Sequence, residues 1–175
     1  MVSVGGHGVV ELTRVCLSDS GGGLVAMSQA QVRLLHCSVG RCGFSGVYAK
    51  DAAFLGAEHC VFAGCDVAVR VRECRFAVSN CVIRESRGDG VVAHGSAKGV
   101  VERTTVQDSG ENGVLLSPSC EVLLAHTKLL HNGRYGVYAP QGADFAFVNT
   151  EFRDNAMGDA NRQPPLDSRA QQRYK

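Results

Sequence analysis

At 175 residues and a formal net charge of +1, the chain has the size of one domain and neither a basic face for nucleic acid nor an acidic tail. No apolar run is long enough to span a membrane, and Met1-Val2-Ser3-Val4-Gly5-Gly6 lacks the basic leader and continuous apolar stretch of a secretory signal. Twenty-one glycines, four prolines, no tryptophan and 6% aromatics point to many tight turns around a core of small and β-branched side chains.

The first element is predicted at Val2 and Val4, two residues apart as in a β-strand. A second follows at Val10 and Leu12 and a third at Val15 and Leu17, with Ser20 at the corner beyond. Gly23-Leu24 then begins the same steps again. The glycine–apolar step returns at Gly46-Val47, Gly90-Val91, Gly113-Val114 and Gly136-Val137, at intervals of 23, 44, 23 and 23 residues. The interval of 44 reads as two coils, with Asp66-Val67 taking the missing step.

Each later coil repeats the three strands. First-strand inward pairs are Leu24/Ala26, Val47/Ala49, Val67/Val69, Val91/Ala93, Val114/Leu116 and Val137/Ala139. The second strand gives Val32/Leu34, Leu55/Ala57, Phe76/Val78, Gly99/Val101, Val122/Leu124 and Phe145/Phe147. The third gives Cys37/Val39, Cys60/Phe62, Cys81/Ile83, Thr104/Val106, Thr127/Leu129 and Thr150/Phe152. Helical spacing does not fit these columns. The corner column Ser20, Cys42, Cys65, Ser86, Ser109, Asn132 and Asn155 reads as a structural ladder of short polar side chains, able to bond turn backbone and its own copies.

The units Asn132-Gly133-Arg134-Tyr135-Gly136-Val137-Tyr138 and Ser109-Gly110-Glu111-Asn112-Gly113-Val114 resemble the parallel β-helix repeat of the pectate-lyase-like superfamily. The likeness covers about residues 2–158. It implies an all-β, right-handed, single-stranded parallel β-helix of about seven coils of ~23 residues, with three parallel sheets stacked at about 4.8 Å per coil. Residues 1–158 are assigned to this domain. Val2 and Val4 already match the first-strand pair, so the chain starts mid-coil, and its N-terminal end is expected to abut further coils or another polypeptide. Residues 159–175, with Pro164-Pro165 and several Arg, Gln and Lys, are read as a polar extension, flexible or docked on a partner.

The cysteines follow the columns. Cys37, Cys60 and Cys81 share one, Cys42 and Cys65 another, and Cys74 and Cys120 a turn column with Ala30, Ala53, Ala97 and Ala143; Cys16 points out. They read as small buried residues, since parallel Cβ vectors about 4.8 Å apart exceed the usual disulfide spacing. Free thiols and no signal place the chain in a reducing cytoplasm. His36, His59 and His126 fall at the bend between second and third strands, and His7, His94 and His131 at other bends. No ligand set converges, so no metal and no cofactor are expected.

Enzymes of the resembled superfamily carry acids and bases on the outside of one sheet. Here the outward first-strand positions are read as Ser3, Val25, Tyr48, Ala68, Val92, Leu115 and Tyr138, and the second-strand ones as Glu11, Arg33, Gly56, Ala77, Val100, Leu123 and Ala146, with no paired carboxylates. The acidic motif of the alginate-epimerase branch is replaced by Tyr138-Ala139-Pro140-Gln141. Lys50, Arg70 and His94 are placed in one register, either as an anion site beside an acidic sugar or as solvated rim charge. The apolar row Tyr48, Ala68, Val92, Leu115 and Tyr138 is expected to form a ridge that binds a protein partner, in preference to being covered by the polar tail. The favoured function is a non-enzymatic scaffold similar to eukaryotic β-helix binding modules. A carbohydrate-binding protein or polysaccharide lyase or epimerase is the alternative, as is an architectural part of a cytoskeletal or axonemal assembly.

Overall fold

Every coil turns three corners, and one residue in the left-handed conformation makes almost every turn. Between second and third strands these residues are Arg14, His36, His59, Asn80, Arg103, His126 and Asn149, with φ from 45° to 56°. At the end of the third strand or just after it they are Asp19, Arg41, Gly64, Glu85, Asp108, His131 and Asp154, and after the first strand they include Asp51, Glu73, Gly95, Ser119 and Gly142. Left-handed φ costs an L-residue roughly 1–2 kcal/mol, least for Asn, Asp and His. Stacking offsets it, because the corner amide finds a carbonyl one coil on: His36 N–H to Glu58 O at 3.0 Å, His59 to Ser79 at 3.2 Å, Asn80 to Glu102 at 3.0 Å.

The corners separate three parallel sheets in the computed structural model, which describes residues 1–51, 53–165 and 168–172. The first stacks Val2–Val4, Leu24–Ala26, Ser45–Lys50, Val67–Arg72, Val91–His94, Val114–Leu116, Tyr135–Tyr138 and Gly158–Ala160. The second stacks Val9–Thr13, Gln31–Leu35, Phe54–Glu58, Arg75–Ser79, Lys98–Glu102, Glu121–Ala125 and Asp144–Val148. The third runs from Cys16–Ser20 through Ser38–Cys42, Val61–Ala63, Val82–Arg84, Thr105–Gln107 and Lys128–Leu130 to Glu151–Arg153. The chain is thus the all-β solenoid of about seven coils that the repeat predicts. Second- and third-strand columns pair in the predicted register throughout, and Val2 and Val4 lie opposite Leu24 and Ala26.

One coil departs from the predicted register. Val69 pairs with Val47 and Val91, and Val71 with Ala49 and Ala93, so the inward pair is Val69/Val71 in place of Val67/Val69. Ala68, not Asp66, lies at the glycine step between Gly46 and Gly90, 22 residues from each. Two corners of this coil are one residue shorter than usual, which divides the missing residues between them. Two of the outward assignments made from sequence change as a result.

The core is one column of apolar side chains inside the three sheets, with Phe62, Phe145, Leu24, Leu55 and Ile83 fully buried. Seven of the eight cysteines are buried and Cys16 is exposed, all of them free. They do more than fill space. Cys37 Sγ donates to Leu12 O at 3.2 Å and Cys81 Sγ to Ser79 O at 3.1 Å, as Thr104 Oγ1 does to Glu102 O at 2.8 Å in the same column. Burial pushes the Cys65 and Cys74 thiols up to about 11, which keeps both protonated. The corner ladder closes toward its C-terminal end, where Ser109 N–H donates to Asn132 Oδ1 at 3.1 Å and Asn132 Nδ2 to Asn155 Oδ1 at 2.8 Å, whereas the buried Ser86 and Ser109 hydroxyls find no hydrogen-bond partner among the described residues.

The C-terminal extension is partly built into the rod. Gly158–Ala160 adds a strand beside Tyr135–Tyr138. Asn161 then imitates one more strand, its Oδ1 accepting from Ala139 N–H at 2.7 Å and its Nδ2 donating to Ala139 O at 3.1 Å. Arg162 lies over the Phe145 ring at 4.8 Å. A short helix, Arg169–Gln172, follows; Leu166, Asp167 and residues 173–175 of the predicted extension lie outside the described residues.

The glycine step is a steric requirement. A Cβ on Gly90 would lie 2.4 Å from Val106 Cγ1 and 2.7 Å from the Gly113 carbonyl, whereas one on Gly21 would meet nothing within 4 Å. Urea unfolding is therefore expected to show Gly90→Ala losing about 1–3 kcal/mol, as overpacked cores do, and Gly21→Ala losing little.

Candidate functional site

The corrected register rebuilds the outer face of the first sheet. Its central outward row is Ser3, Val25, Tyr48, Arg70, Val92, Leu115 and Tyr138. Ala68 therefore leaves the predicted ridge: it sits at the corner with 0% exposure. Val92 is 2% exposed and Tyr48 and Leu115 are half-buried, which leaves Tyr138 as the exposed apolar member. The continuous apolar ridge is replaced by a row with a guanidinium at its centre.

The second outward row holds Lys50, Arg72 and His94 on successive strands. Arg72, not Arg70, lies between Lys50 and His94, so the predicted trio of Lys50, Arg70 and His94 is not one column. All four side chains nevertheless share the face, because Arg70 is two residues before Arg72 on the same strand.

Arg70 is held by its own surroundings. Its Nε donates to Ser45 Oγ at 3.2 Å and its guanidinium carbon lies 4.8 Å from the centre of the Phe44 ring, a cation–π distance. Phe44 meets Tyr48 edge to face at 6.3 Å. Sequence reading missed Phe44, because it stands in the corner before the strand, where no alternation marks it. His94 Nδ1 is 2.5 Å from Ser117 Oγ. Burial, then the charges of Arg70 and Arg72, hold the His94 pKa below its ordinary value.

The charges here contrast with the paired columns elsewhere on the rod, although Arg75 and Lys98 also stack as neighbours on the second sheet. Coil-to-coil neighbours pair opposite signs in Arg41–Asp19 at 2.6 Å, Lys98–Glu121 at 2.8 Å, Arg134–Glu111 at 3.0 Å and Lys128–Glu151 at 3.2 Å. On the first sheet Lys50 and Arg72 instead stack directly, with carboxylates only sideways at the corner: Lys50–Asp51 at 3.3 Å and Arg72–Glu73 at 3.7 Å. Exposed pairs of this kind hold a cation weakly, by about 0–1 kcal/mol. Neither outward row contains a carboxylate from Ser3 to Tyr138. Chemically the face can bind an anion; it lacks the carboxylate pair that glycoside hydrolysis uses. Among the described residues no three His, Cys, Asp or Glu side chains cluster to hold a metal.

The flanking apolar positions of the second sheet have a different fate. Leu123, Ala125 and Ala146 cluster with Ala170 of the C-terminal helix, with Val100 and Val148 at the edges. The tail thus places one small side chain, Ala170, against part of the second sheet.

Comparison with known proteins fits this geometry. The family described as right-handed beta helix region matches residues 45–161. The chain belongs to this family. Among solved structures, the A-module of a mannuronan C-5 epimerase from Azotobacter vinelandii matches this β-helix with a TM-score of 0.50 and 10% identity, over 90% of the chain. The chain spans 57% of that module, and a likeness at this identity shows the fold alone. No curated protein sequence matches the β-helix at a significant level. None of its described helices is long and apolar enough to cross a membrane.

The lowered pKa of His94 carries a sign. Below its ordinary value near 6.5 the unfolded chain takes up the proton before the folded one, so this residue costs stability as pH falls through that region. Urea midpoints at about pH 7.5 and about pH 5.5 are expected to differ less in His94→Gln than in the wild type.

Proposed function

We propose that the chain is a non-enzymatic binding module, which presents the outer face of its first sheet to an acidic segment of a protein partner. The observation that carries this reading is Arg70, fixed by Ser45 and Phe44 between Tyr48 and Val92, with Lys50 and Arg72 beside it and no carboxylate in either outward row. Stacked cations repel in the free protein, and an incoming carboxylate or phosphate relieves that repulsion while the aromatic rings supply contact area. Tyr138, 39% exposed, extends the contact along the rod. A reducing compartment suits the eight free thiols.

A second reading is an anionic glycan on the same face. The Phe44 and Tyr48 rings beside Arg70 favour it, as does a fold shared with a module named for mannuronan epimerisation.

Affinity purification with crosslinking, on wild type and on Arg70→Glu and Tyr138→Glu, tests the reading. Crosslinks from Lys50 to acidic segments are expected in the wild type and are expected to be lost in both variants, with the melting temperature little changed. An unchanged partner set in both variants contradicts the proposal. Binding to uronate polymers on a glycan array, lost in Arg70→Glu, supports the glycan reading instead.

A further inference from the structure

The second sheet carries a separate surface whose margin is basic at Arg75 and Lys98 and acidic at Glu121 and Asp144. Its central outward row runs Gly56, Ala77, Val100, Leu123 and Ala146, small or apolar throughout. The helix Arg169–Gln172 lies over the C-terminal part of this row, with Ala170 2% exposed against Leu123 and Ala146. Two acids anchor it. The Arg169 backbone N–H donates to Asp144 Oδ2 at 2.9 Å, and the Arg169 guanidinium lies 3.6 Å from Glu121 Oε1, which also takes Lys98 Nζ at 2.8 Å. The Glu121 side chain is only 5% exposed.

The resident helix uses this surface sparingly. Four residues make about one turn, too few to be helical alone. One alanine is buried, and the Arg169 side chain is 68% exposed. Past the helix the depression continues over Val100 and Ala77, bounded by Phe54, Arg75 and Lys98. A longer segment with the same anchor would cover that remainder and bury more apolar area than the tail does.

We propose that this groove is a docking site for a short basic segment of a partner protein, an arginine followed by a small residue, and that the helix Arg169–Gln172 is its displaceable resident. The occupant is set by charge complementarity and by the tail itself. Glu121 and Asp144 take the guanidinium and a backbone N–H, and the floor of Leu123 and Ala146 admits only a small side chain at the next position. The tether gives the tail a high effective concentration, so a partner binds by displacing it.

The probe is a fluorescent peptide of residues 159–172, added to the full chain. Binding is expected to be at least about ten-fold tighter to the R169E/A170E chain, whose own tail is released, than to wild type. Asp144→Asn in that background is expected to reduce it again by about ten-fold, as is Arg169→Glu in the peptide. The Asp144 side chain is 13% exposed, so circular dichroism with a melting curve checks that each chain is folded. Equal binding to the wild-type and released chains, or binding to neither, overturns the proposal. A wild-type dimer that R169E/A170E converts to monomer also overturns it, in favour of tail exchange between two copies.

Discussion

Each side chain in this protein faces its own copies one coil above and below, at about the spacing of hydrogen-bonded strands. That constraint decides which residue each column can hold. A buried polar column must satisfy itself, and Asn132 with Asn155 does so through both amide groups. A corner column must be small, which is why a Cβ at Gly113 or Gly136 would strike the next coil's carbonyl at 2.8 or 2.7 Å. A charged column must alternate in sign or bear the repulsion. Columns such as Lys98–Glu121 and Lys128–Glu151 alternate; Lys50–Arg72 on the first sheet and Arg75–Lys98 and Glu121–Asp144 on the second do not.

The same constraint explains how much the sequence reveals. Columns repeating at about 23 residues are legible because stacking demands like beside like, and the second and third strands read correctly along the whole chain. Reading failed in the coil of Arg70, where Ala68 replaces the glycine that marks the step elsewhere. Two corners there are each a residue short, and nothing local says where the shortening falls. Placing Val67 opposite Val47 made the turn before it three residues short, where the true shortfall there is one, and so moved Ala68 onto the outer face and Arg70 one row too far out. Corner residues are the other blind spot. The bend positions of His36, His59 and His126 were visible, but the left-handed backbone they share was not, and Phe44 lies where no strand period applies. The tail helix was unreadable for a simpler reason: a single buried alanine makes no periodic signal.

The two candidate surfaces follow from different parts of this logic. The first-sheet face is cationic and aromatic, and its charges are left stacked by the fold. The second-sheet groove is apolar with a margin that is basic at Arg75 and Lys98 and acidic at Glu121 and Asp144, and the chain's own tail already occupies its acidic end. The two ends differ as well. Asn161 and Arg162 bond over the C-terminal end, where Phe147, Phe152 and Ala160 stay partly buried, and among the described residues no such pair covers Val2, Val10, Leu12, Val15 and Leu17, partly buried at the other.

Since the account of the first-sheet face rests on the position of Arg70, the most direct measurement is the strand register by NMR. Cross-strand NOEs between backbone protons locate parallel neighbours without reference to function. Contacts linking the strand around Arg70 to Tyr48 on one side and Val92 on the other are the predicted result. Contacts placing Ala68 opposite Tyr48 would restore the continuous apolar ridge and contradict the cationic site.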